Sequence, residues 1–314
     1  MMQFAAHHIG KPLAAYYQDY RVLTEANLAV LETFSLDIVQ AISDPYREAA
    51  DWGAAVVFPE DDIPLCETPL IVEPSDLDRL RTPHPHTGRR MSDRLEAIRL
   101  FRERVGGEVP IMGWVEGALA EAADLRGVSN LMVDLYDSPE WVTALLERCA
   151  EVAIAFARAQ VAAGADIIGL GDAIASQVSP TMYERFALPY EQRIFAAVHE
   201  MGALARLHIC GNTTRLLHLM PFSGADIIDI DWMVDMATAR EAFGERIAVC
   251  GNFDPLAVAL RGTPETIRQA TLDCLRAGGP RSISGAGCEI PDGTPHANLL
   301  AQRETLIEAG RLGL

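Results

Sequence analysis

Short apolar runs alternate with long helical patterns along the chain, and this alternation most constrains its fold. Several runs are apolar at nearly every position, which is typical of parallel strands covered on both faces. Eight strands with helical crossovers predict an α/β protein of the (β/α)8 or TIM-barrel class. The predicted strands are residues 36–43, 54–58, 109–115, 166–170, 203–209, 226–230, 247–251 and 281–286.

Helix starts are marked by a Ser or Thr followed by proline, which suits the cap and the first helical position. The expected helices run from Pro139 toward Gly164, from Pro180 with a break at Pro189, from Pro264 to about Gly278, and from Pro295 onward. We find no linker or shift in composition between them. Residues 1–314 are therefore predicted to be a single barrel domain with an N-terminal helical arm over about residues 1–35.

The charge balance limits the classes of partner. The chain has 44 acidic against 26 basic residues and a net charge of −18, which argues against nucleic acid and anionic membranes as partners. No apolar run reaches the ~18 residues of a membrane span. The N-terminus lacks the basic-then-apolar layout of a signal peptide, so a cytoplasmic location is expected. A homodimer is the assembly we consider.

Reactive side chains fall where the predicted strands end. In a barrel of this kind the carboxyl ends of the strands carry the chemistry, so these side chains are expected to face one mouth. They are Asp44, Glu116, Asp172, His208, Cys210, Asp229, Asp231, Asn252, Asp254 and Cys288.

The pattern His-x-Cys in RLHICGN, with a distant Cys in SGAGCEIP, predicts a zinc site. His208 and Cys210 are two apart on a strand and share a face. With Cys288 they give three protein ligands and one open position, the catalytic form of zinc. A fourth protein ligand, such as Asp229, Asp231 or Glu289, would instead close the site as a structural one, so a non-catalytic, zinc-stabilised binding protein stays an alternative.

The remaining cysteines and histidines have ordinary interpretations. Widely spread cysteines in a cytosolic chain of this size favour reduced thiols over a disulfide framework. Cys66, Cys149 and Cys274 are predicted to be small buried hydrophobes, whereas Cys250 is either buried or near the site. The other seven histidines have no partner that the sequence identifies, and solvent exposure is expected for them: His7, His8, His84, His86, His199, His218 and His296.

Three stretches together, HICGNTTRLL, GADIIDIDWMVDMATAREAFGERIAVCGNFDP and SISGAGCEIPDGTPHANL, resemble the uroporphyrinogen decarboxylase superfamily. The resemblance runs from about position 35 to the end, and it is strongest to the branch of methylcobamide:coenzyme M and related corrinoid methyltransferases. It implies a (β/α)8 barrel and zinc held by His208, Cys210 and Cys288.

That branch implies methyl transfer between a corrinoid and a thiol or similar acceptor, with zinc activating the thiolate. Asp44, Glu116 and Asp172 are predicted catalytic residues, and Asp229 and Asn252 are predicted to contact the cofactor. No Asp-x-His-x-x-Gly corrinoid motif occurs in the chain. The corrinoid is therefore expected on a separate protein or as free cobalamin. Lys11, Arg89, Arg90 and Arg206 are candidates to hold an acidic acceptor.

The decarboxylase branch is the other reading of the resemblance, as a lyase with an altered substrate. Its N-terminal arginine motif corresponds to residues 7–11 here, which contain no arginine. Its catalytic tyrosine corresponds to Gly113, and its late histidine is replaced within residues 285–287. Only its aspartate persists, as Asp44. The loss of the carboxylate-binding arginines argues against a porphyrinogen substrate.

Overall fold

The computed structural model describes residues 1–312, and seven parallel strands within them form one sheet in chain order. Each strand pairs with the next one along the sequence. The strands are β1 (Val39–Gln40), β2 (Ile111–Glu116), β3 (Ile167–Gly171), β4 (Leu204–Ile209), β5 (Ile227–Ile230), β6 (Ala248–Phe253) and β7 (Ser282–Ala286).

The predicted second strand is wrong, so the barrel of eight strands is corrected to a curled sheet of seven. Residues 54–58 make only an isolated antiparallel bridge between Val57 and Leu65. Val57 is 56% exposed, because this segment belongs to an excursion of the chain outside the sheet. Among residues 1–312 no pairing joins β7 to β1, and the sheet is therefore curled without being closed.

Thirteen α-helices are found in the described residues, and the connections between successive strands contain most of them. They are α1 (Met2–His8), α2 (Leu13–Gln18), α3 (Tyr20–Phe34), α4 (Arg47–Trp52), α5 (Arg89–Val105), α6 (Ala118–Arg126), α7 (Val128–Asp137), α8 (Pro139–Ala163), α9 (Pro180–Phe186), α10 (Leu188–Glu200), α11 (Met236–Phe243), α12 (Pro264–Gly278) and α13 (His296–Leu312).

The helix starts predicted at Pro139, Pro180 and Pro264 are confirmed, and the last helix begins one residue after Pro295, at His296. Helix α8 begins at Pro139 and ends before Gly164, whose φ of 119° suits glycine. Ser179 caps α9 by accepting a hydrogen bond from the Met182 backbone N–H. The break near Pro189 separates α9 from α10. The first three helices occupy the region predicted as an N-terminal arm.

The core has two parts. The larger part lies between the sheet and the helices and extends from α1 to α13. A smaller cluster fills the inner face of the curled sheet and includes Met112, Trp114, Ile227 and Cys250. The single-domain assignment stays a prediction. Nowhere in residues 1–312 is a helix both long and apolar enough to cross a membrane.

Candidate metal centre

The three predicted zinc ligands converge at the carboxyl end of the sheet. His208 is the penultimate residue of β4, Cys210 directly follows that strand, and Cys288 follows β7. The His208 Nε2 atom lies 3.1 Å from the Cys210 Sγ atom, and the two sulfur atoms lie 4.0 Å apart. All three donor atoms lie within 4.8 Å of one another. The curl of the sheet therefore brings together two strands that are three positions apart.

The chain around Cys210 is held by a carboxylate from the neighbouring strand. Gly211 has a φ of 87°, a left-handed conformation that glycine adopts without strain, and it turns the chain directly after the cysteine. Its backbone N–H donates to Asp231 Oδ2 at 2.8 Å. Asp231 Oδ1 accepts a further hydrogen bond from the Met233 N–H at 3.0 Å. Asp231 thus fixes the turn that presents Cys210.

The His208 ring is oriented from its opposite side. Its Nδ1 atom lies 3.3 Å from both the backbone oxygen and the Oδ2 atom of Asp229, the residue directly opposite on β5. Asp229 Oδ2 also accepts a hydrogen bond from Arg206 at 2.5 Å. A carboxylate on one nitrogen fixes the tautomer of a ligand histidine. Nε2 is left to face Cys210.

One imidazole nitrogen and two thiols fit a zinc ion. Tetrahedral zinc with bonds of about 2.3 Å to sulfur and about 2.0 Å to nitrogen sets its ligand atoms roughly 3.5–3.8 Å apart. Two of the three observed separations, 3.1 and 4.0 Å, depart from this range by less than about 0.5 Å, and the third is at most 4.8 Å. Small side-chain rotations would bring the three atoms to bonding distance.

The residues considered as a fourth protein ligand are engaged elsewhere. Both Asp231 oxygens accept backbone hydrogen bonds, and Asp229 lies on the Nδ1 side of the imidazole, away from Cys210. Glu289 accepts hydrogen bonds from the backbone nitrogens of Met1 and Met2. Among residues 1–312 the group of candidate ligands therefore consists of His208, Cys210 and the exposed Cys288.

The pKa shifts at this site favour a negative charge on Cys288 and Asp229 and a positive charge on His208. Hydrogen bonds from Cys210 and His208 lower the pKa of Cys288 to about 4. Burial opposes a charge on His208, but Asp229 and Cys288 together raise its pKa to about 10. Burial likewise opposes ionisation of Asp229, whereas Arg206 and His208 lower its pKa to about 2. The pKa of Cys210 is raised, chiefly by Cys288.

Glu116 is the last residue of β2. In the register of the sheet it lies opposite Gly171 on β3, and Gly171 lies opposite His208 on β4. It is 7% exposed, and its Oε1 atom accepts a hydrogen bond from Arg47 at 2.7 Å. Burial raises the pKa of Glu116 to about 7, although Arg47 opposes that shift. Glu116 can therefore hold or release a proton near neutral pH.

Asp44 and Asp172 are both fully buried and already have partners. Asp44 Oδ2 accepts a hydrogen bond from Arg90 at 2.5 Å. Asp172 Oδ1 accepts one from the Ala120 N–H at 3.0 Å, in the first turn of α6. Burial and the nearby Glu191 raise the pKa of Asp172 well above its usual value. These contacts position chain segments around the mouth, and the catalytic roles of both residues stay predictions.

Asn252 holds the segment that follows β5. Its Nδ2 atom donates to the backbone oxygens of Asp231 at 3.0 Å and Val234 at 2.5 Å. The role of Asn252 in cofactor contact stays a prediction. The neighbouring Cys250 is 4% exposed and lies 3.6 Å from an Arg206 nitrogen, so both interpretations offered for it apply. Cys149 is buried as expected, while Cys66 and Cys274 are partly exposed.

A buried acidic group that the sequence pattern did not reveal lies beside Glu116. Glu48 accepts a hydrogen bond from the Glu116 N–H at 3.1 Å, and Arg47 lies between the two carboxylates. Glu121 is 2% exposed and neither of its carboxylate oxygens has a partner in the described residues. Burial raises the pKa of Glu121 well above its usual value. The sequence feature that could have indicated this acidic group is the pair Arg47-Glu48, which begins the helix after the first strand.

Two of the histidines expected to be solvated have carboxylate partners. His7 lies 2.9 Å from Asp61 and 3.0 Å from Asp292. His199 lies 2.9 Å from Asp226. Sequence spacing could not reveal these pairs, because the partners come from distant segments. The cations considered for an acidic acceptor are also partly engaged, since Arg90 pairs with Asp44 and Arg206 with Asp229.

Comparison with known proteins adds family information to this geometry. The family model described as uroporphyrinogen decarboxylase matches residues 1–308. A uroporphyrinogen decarboxylase of Nostoc punctiforme is 30% identical over 301 residues, which cover 93% of this chain and 84% of the relative.

Two methyltransferases show higher identity over shorter stretches. The methylcobamide:CoM methyltransferase MtbA of Methanosarcina mazei is 38% identical over 226 residues, which cover 71% of this chain. Its counterpart in Methanosarcina acetivorans is 38% identical over 207 residues, or 65% of this chain. The matched region spans 65% and 60% of the lengths of these two relatives.

Two solved structures superpose on most of this chain. A methyltransferase from Methanosarcina mazei superposes with a TM-score of 0.89 at 25% identity, covering 98% of this chain and 90% of the other. A B12-independent methionine synthase from Shewanella sp. W3-18-1 superposes with a TM-score of 0.64 at 16% identity, covering 94% and 89%. The second likeness concerns the fold alone.

Proposed function

Because this chain belongs to the uroporphyrinogen decarboxylase family, we propose that it is a zinc-dependent methyltransferase of the corrinoid branch of that family. The observation that carries the proposal is the convergence of His208, Cys210 and Cys288 at one end of the sheet. The similarity to the methylcobamide:CoM methyltransferases supports the same reaction class. The methyl group would pass between a corrinoid and a thiol or similar acceptor.

The chain's own residues would prepare the acceptor. His208 Nε2 and the two cysteine sulfurs are the ligands in this proposal, with Asp229 and Asp231 holding them in place. Zinc bound there would supply Lewis acidity that keeps an incoming thiol deprotonated near neutral pH. Cys288 is exposed, which supports access of the thiol from the open end of the sheet.

The proposed step is a nucleophilic displacement at the methyl carbon. The acceptor sulfur attacks the methyl carbon, the carbon–cobalt bond breaks with its electron pair remaining on cobalt, and the thiol proton is released. Rate enhancement comes from holding sulfur and methyl in line. The methyl donor would be free methylcobalamin or a corrinoid carried by a separate protein.

Glu116 is the residue that we propose to receive the released proton. Its pKa of about 7 suits proton exchange at neutral pH. Two strand spacings separate it from His208, a distance of about 10 Å, so the proton would pass through water or substrate. Asp44 and Asp172, each held by hydrogen bonds, would keep the surrounding segments in place.

Thiol-dependent demethylation of methylcobalamin tests the proposal. Zinc-loaded protein is mixed with methylcobalamin and a panel of small thiols, the absorbance of the corrinoid is followed, and the methyl thioether is identified by mass spectrometry. We expect turnover that Cys288→Ser abolishes and that is left intact by Cys66→Ser, whose thiol is far from the cluster along the chain and contacts the Thr68 backbone oxygen. Folded, zinc-loaded protein that demethylates no methylcobalamin with any thiol would refute the activity with the free corrinoid.

Decarboxylation is the second candidate, because the family model and several relatives are decarboxylases. The position that corresponds to the catalytic tyrosine of the decarboxylases does not favour decarboxylation. Gly113 faces Gln160 of α8, and a Cβ atom added there would collide with that side chain. Carbon dioxide release from uroporphyrinogen by chelator-treated protein is the measurement that would favour this candidate over methyl transfer.

A further inference from the structure

Arg206 is a cation in the interior of the curled sheet that no step of the proposed reaction uses. It lies on β4 two residues before His208 and therefore on the same face of the strand. Its side chain is 18% exposed. Around it lie the apolar side chains of the inner cluster, including Met112 and Ile227.

The polar contacts of Arg206 lead toward the metal ligands. Its Nη2 atom donates to Asp229 Oδ2 at 2.5 Å and lies 3.6 Å from Cys250 Sγ. Its Nη1 atom lies 3.8 Å from Met112 Sδ, and its Nε atom has no partner in the described residues. Asp229 is thus the one carboxylate hydrogen-bonded to this guanidinium within residues 1–312.

The Asp229 oxygen that binds Arg206 is also the one beside the His208 ring. Oδ2 lies 3.3 Å from His208 Nδ1, whereas Oδ1 is buried and has no hydrogen-bond partner among residues 1–312. A buried carboxylate that loses its cation keeps an uncompensated charge, which is strongly unfavourable. Without Arg206, the carboxylate would rotate or draw in water, and the hydrogen bond that orients the imidazole would change.

We infer that Arg206 is a positioning residue of the metal centre: it fixes Asp229, which in turn directs the Nε2 atom of His208 toward the two thiols. This inference rests on the zinc site of the proposed function. Residues that orient a ligand through its other nitrogen commonly change metal affinity by about 10–100-fold when they are replaced. Arg206 acts one contact further away, so a loss of about 10-fold is expected.

Zinc affinity provides a readout that does not depend on catalysis. Wild type, Arg206→Met, Arg206→Lys and Asp229→Asn are titrated against a chromophoric chelator, and the absorption spectra of their Co²⁺ forms are recorded. Arg126→Met is the matched control. Arg126 pairs with Asp134 at similar exposure, 12% and 13% against 18% and 11%, but joins helices α6 and α7.

The expected result is an affinity loss of about 10-fold in Arg206→Met and at least as large a loss in Asp229→Asn. Arg206→Lys should recover part of it, because the lysine restores a positive charge beside Asp229. The Co²⁺ spectrum of Arg206→Met should shift, since the imidazole ligand is reoriented. If Arg206→Met does not fold, Arg206→Gln replaces it in the same comparison.

Two results would overturn the inference while leaving the zinc site intact. One is unchanged zinc affinity in folded Arg206→Met beside a wild type that binds about one zinc per chain. The other is an equal loss in Arg126→Met, which would indicate general destabilisation. A wild type that binds no zinc at all would overturn the proposed function itself, so the two failures are distinguishable.

Discussion

Cys210 and Cys288 come from two different strand ends, and each supplies one sulfur to the cluster. We expect about one zinc per chain in the wild type, and a loss of most of it in Cys210→Ser and in Cys288→Ser, because a serine hydroxyl is a poor zinc ligand at neutral pH. Metal content is measured by atomic emission after dialysis against a weak chelator.

Cys66→Ser serves as the control for these substitutions. Cys66 is partly exposed and its thiol contacts the backbone oxygen of Thr68, far along the chain from the cluster. Its variant should retain the zinc of the wild type. Full zinc content in both Cys210→Ser and Cys288→Ser would refute the metal centre.

Glu116 gives a prediction about pH. Its pKa of about 7 in the folded protein lies above the value of about 4.3 in an unfolded chain. The folded state therefore holds the proton more tightly, and the contribution of Glu116 to stability declines as pH rises from about 4 through 7. Glu116→Gln cannot ionise, so its stability relative to wild type should increase across this window.

Urea unfolding at a series of pH values measures this difference. Glu103→Gln is a suitable control, because Glu103 is exposed on α5. If Glu116 also receives the proton of the acceptor, the loss of turnover in the Gln variant should grow as pH rises through about 7, because the wild-type carboxylate ionises there. A stability difference that stays constant from pH 4 to 8 would contradict the raised pKa.

At this scale, residue types and spacing sufficed to predict which three side chains come together as candidate metal ligands. His208 and Cys210 share a strand face by parity alone, and Cys288 follows the last strand. Arg206 and Arg47 could not be assigned in the same way. Asp229, the partner of Arg206, lies on the neighbouring strand, and that pairing depends on a register that the sequence does not specify. Glu116, the partner of Arg47, lies on β2, whereas Arg47 begins α4, a long-range contact that local spacing does not indicate.

Among the elements, α1 contacts the segment that carries Cys288. The backbone N–H of Met2 donates to Glu289, and His7 Nδ1 lies 3.0 Å from Asp292. The rings of Phe4 and His8 pack against His296 with centroids 5.7 and 5.2 Å away. Helix α1 therefore restrains the loop between β7 and α13.

Replacing His7 should loosen this loop. His7 lies between Asp61 and Asp292, whose hydrogen bonds raise its pKa above the usual 6.5. The protonated form stabilises the folded contact, so the contribution is complete below about pH 6.5 and is lost as pH rises through the higher folded value. We expect faster hydrogen exchange over residues 289–295 in His7→Asn, with the difference from wild type shrinking at alkaline pH.

His199→Asn is the matched control for this experiment. His199 also pairs with a carboxylate, that of Asp226, at comparable exposure, but it lies on α10. Its variant should leave exchange over residues 289–295 unchanged. Equal exchange in His7→Asn and wild type, measured at pH 6, would show that the His7 contacts do not restrain the loop.

Helices were predicted better than strands, for a physical reason. A serine or threonine followed by proline marks a helix start locally, and α8, α9 and α12 all begin at such a site. An apolar run carries no such marker. Residues 54–58 satisfy the strand pattern, yet Pro59 and the acidic residues after it lead into an exposed excursion, and the run forms one bridge only.

At the scale of the whole molecule, the candidate metal ligands connect the middle of the sheet to one of its edge strands. The His208 nitrogen and the Cys210 sulfur lie at the carboxyl end of β4. The Cys288 sulfur follows β7, which is not paired with β1 in the described residues. A metal held there would tie the middle of the sheet to its edge strand. The barrel predicted from the strand pattern already implied this meeting of strand ends, even though the strand count was too high by one.

Zinc should therefore stabilise the whole chain by mass action. A ligand that binds only the folded state, present at 100 times its dissociation constant, contributes about 2.7 kcal/mol. For a chain of this size that corresponds to an increase in Tm of about 5 °C. Calorimetry of chelator-stripped protein, before and after zinc is restored, measures the shift. Magnesium should produce none, because it prefers oxygen ligands. Cys210→Ser should show no zinc-dependent shift either. An equal increase with zinc in that variant would mean that zinc binds outside the cluster, and an unchanged Tm in the wild type would mean that the sheet edge gains nothing from the metal.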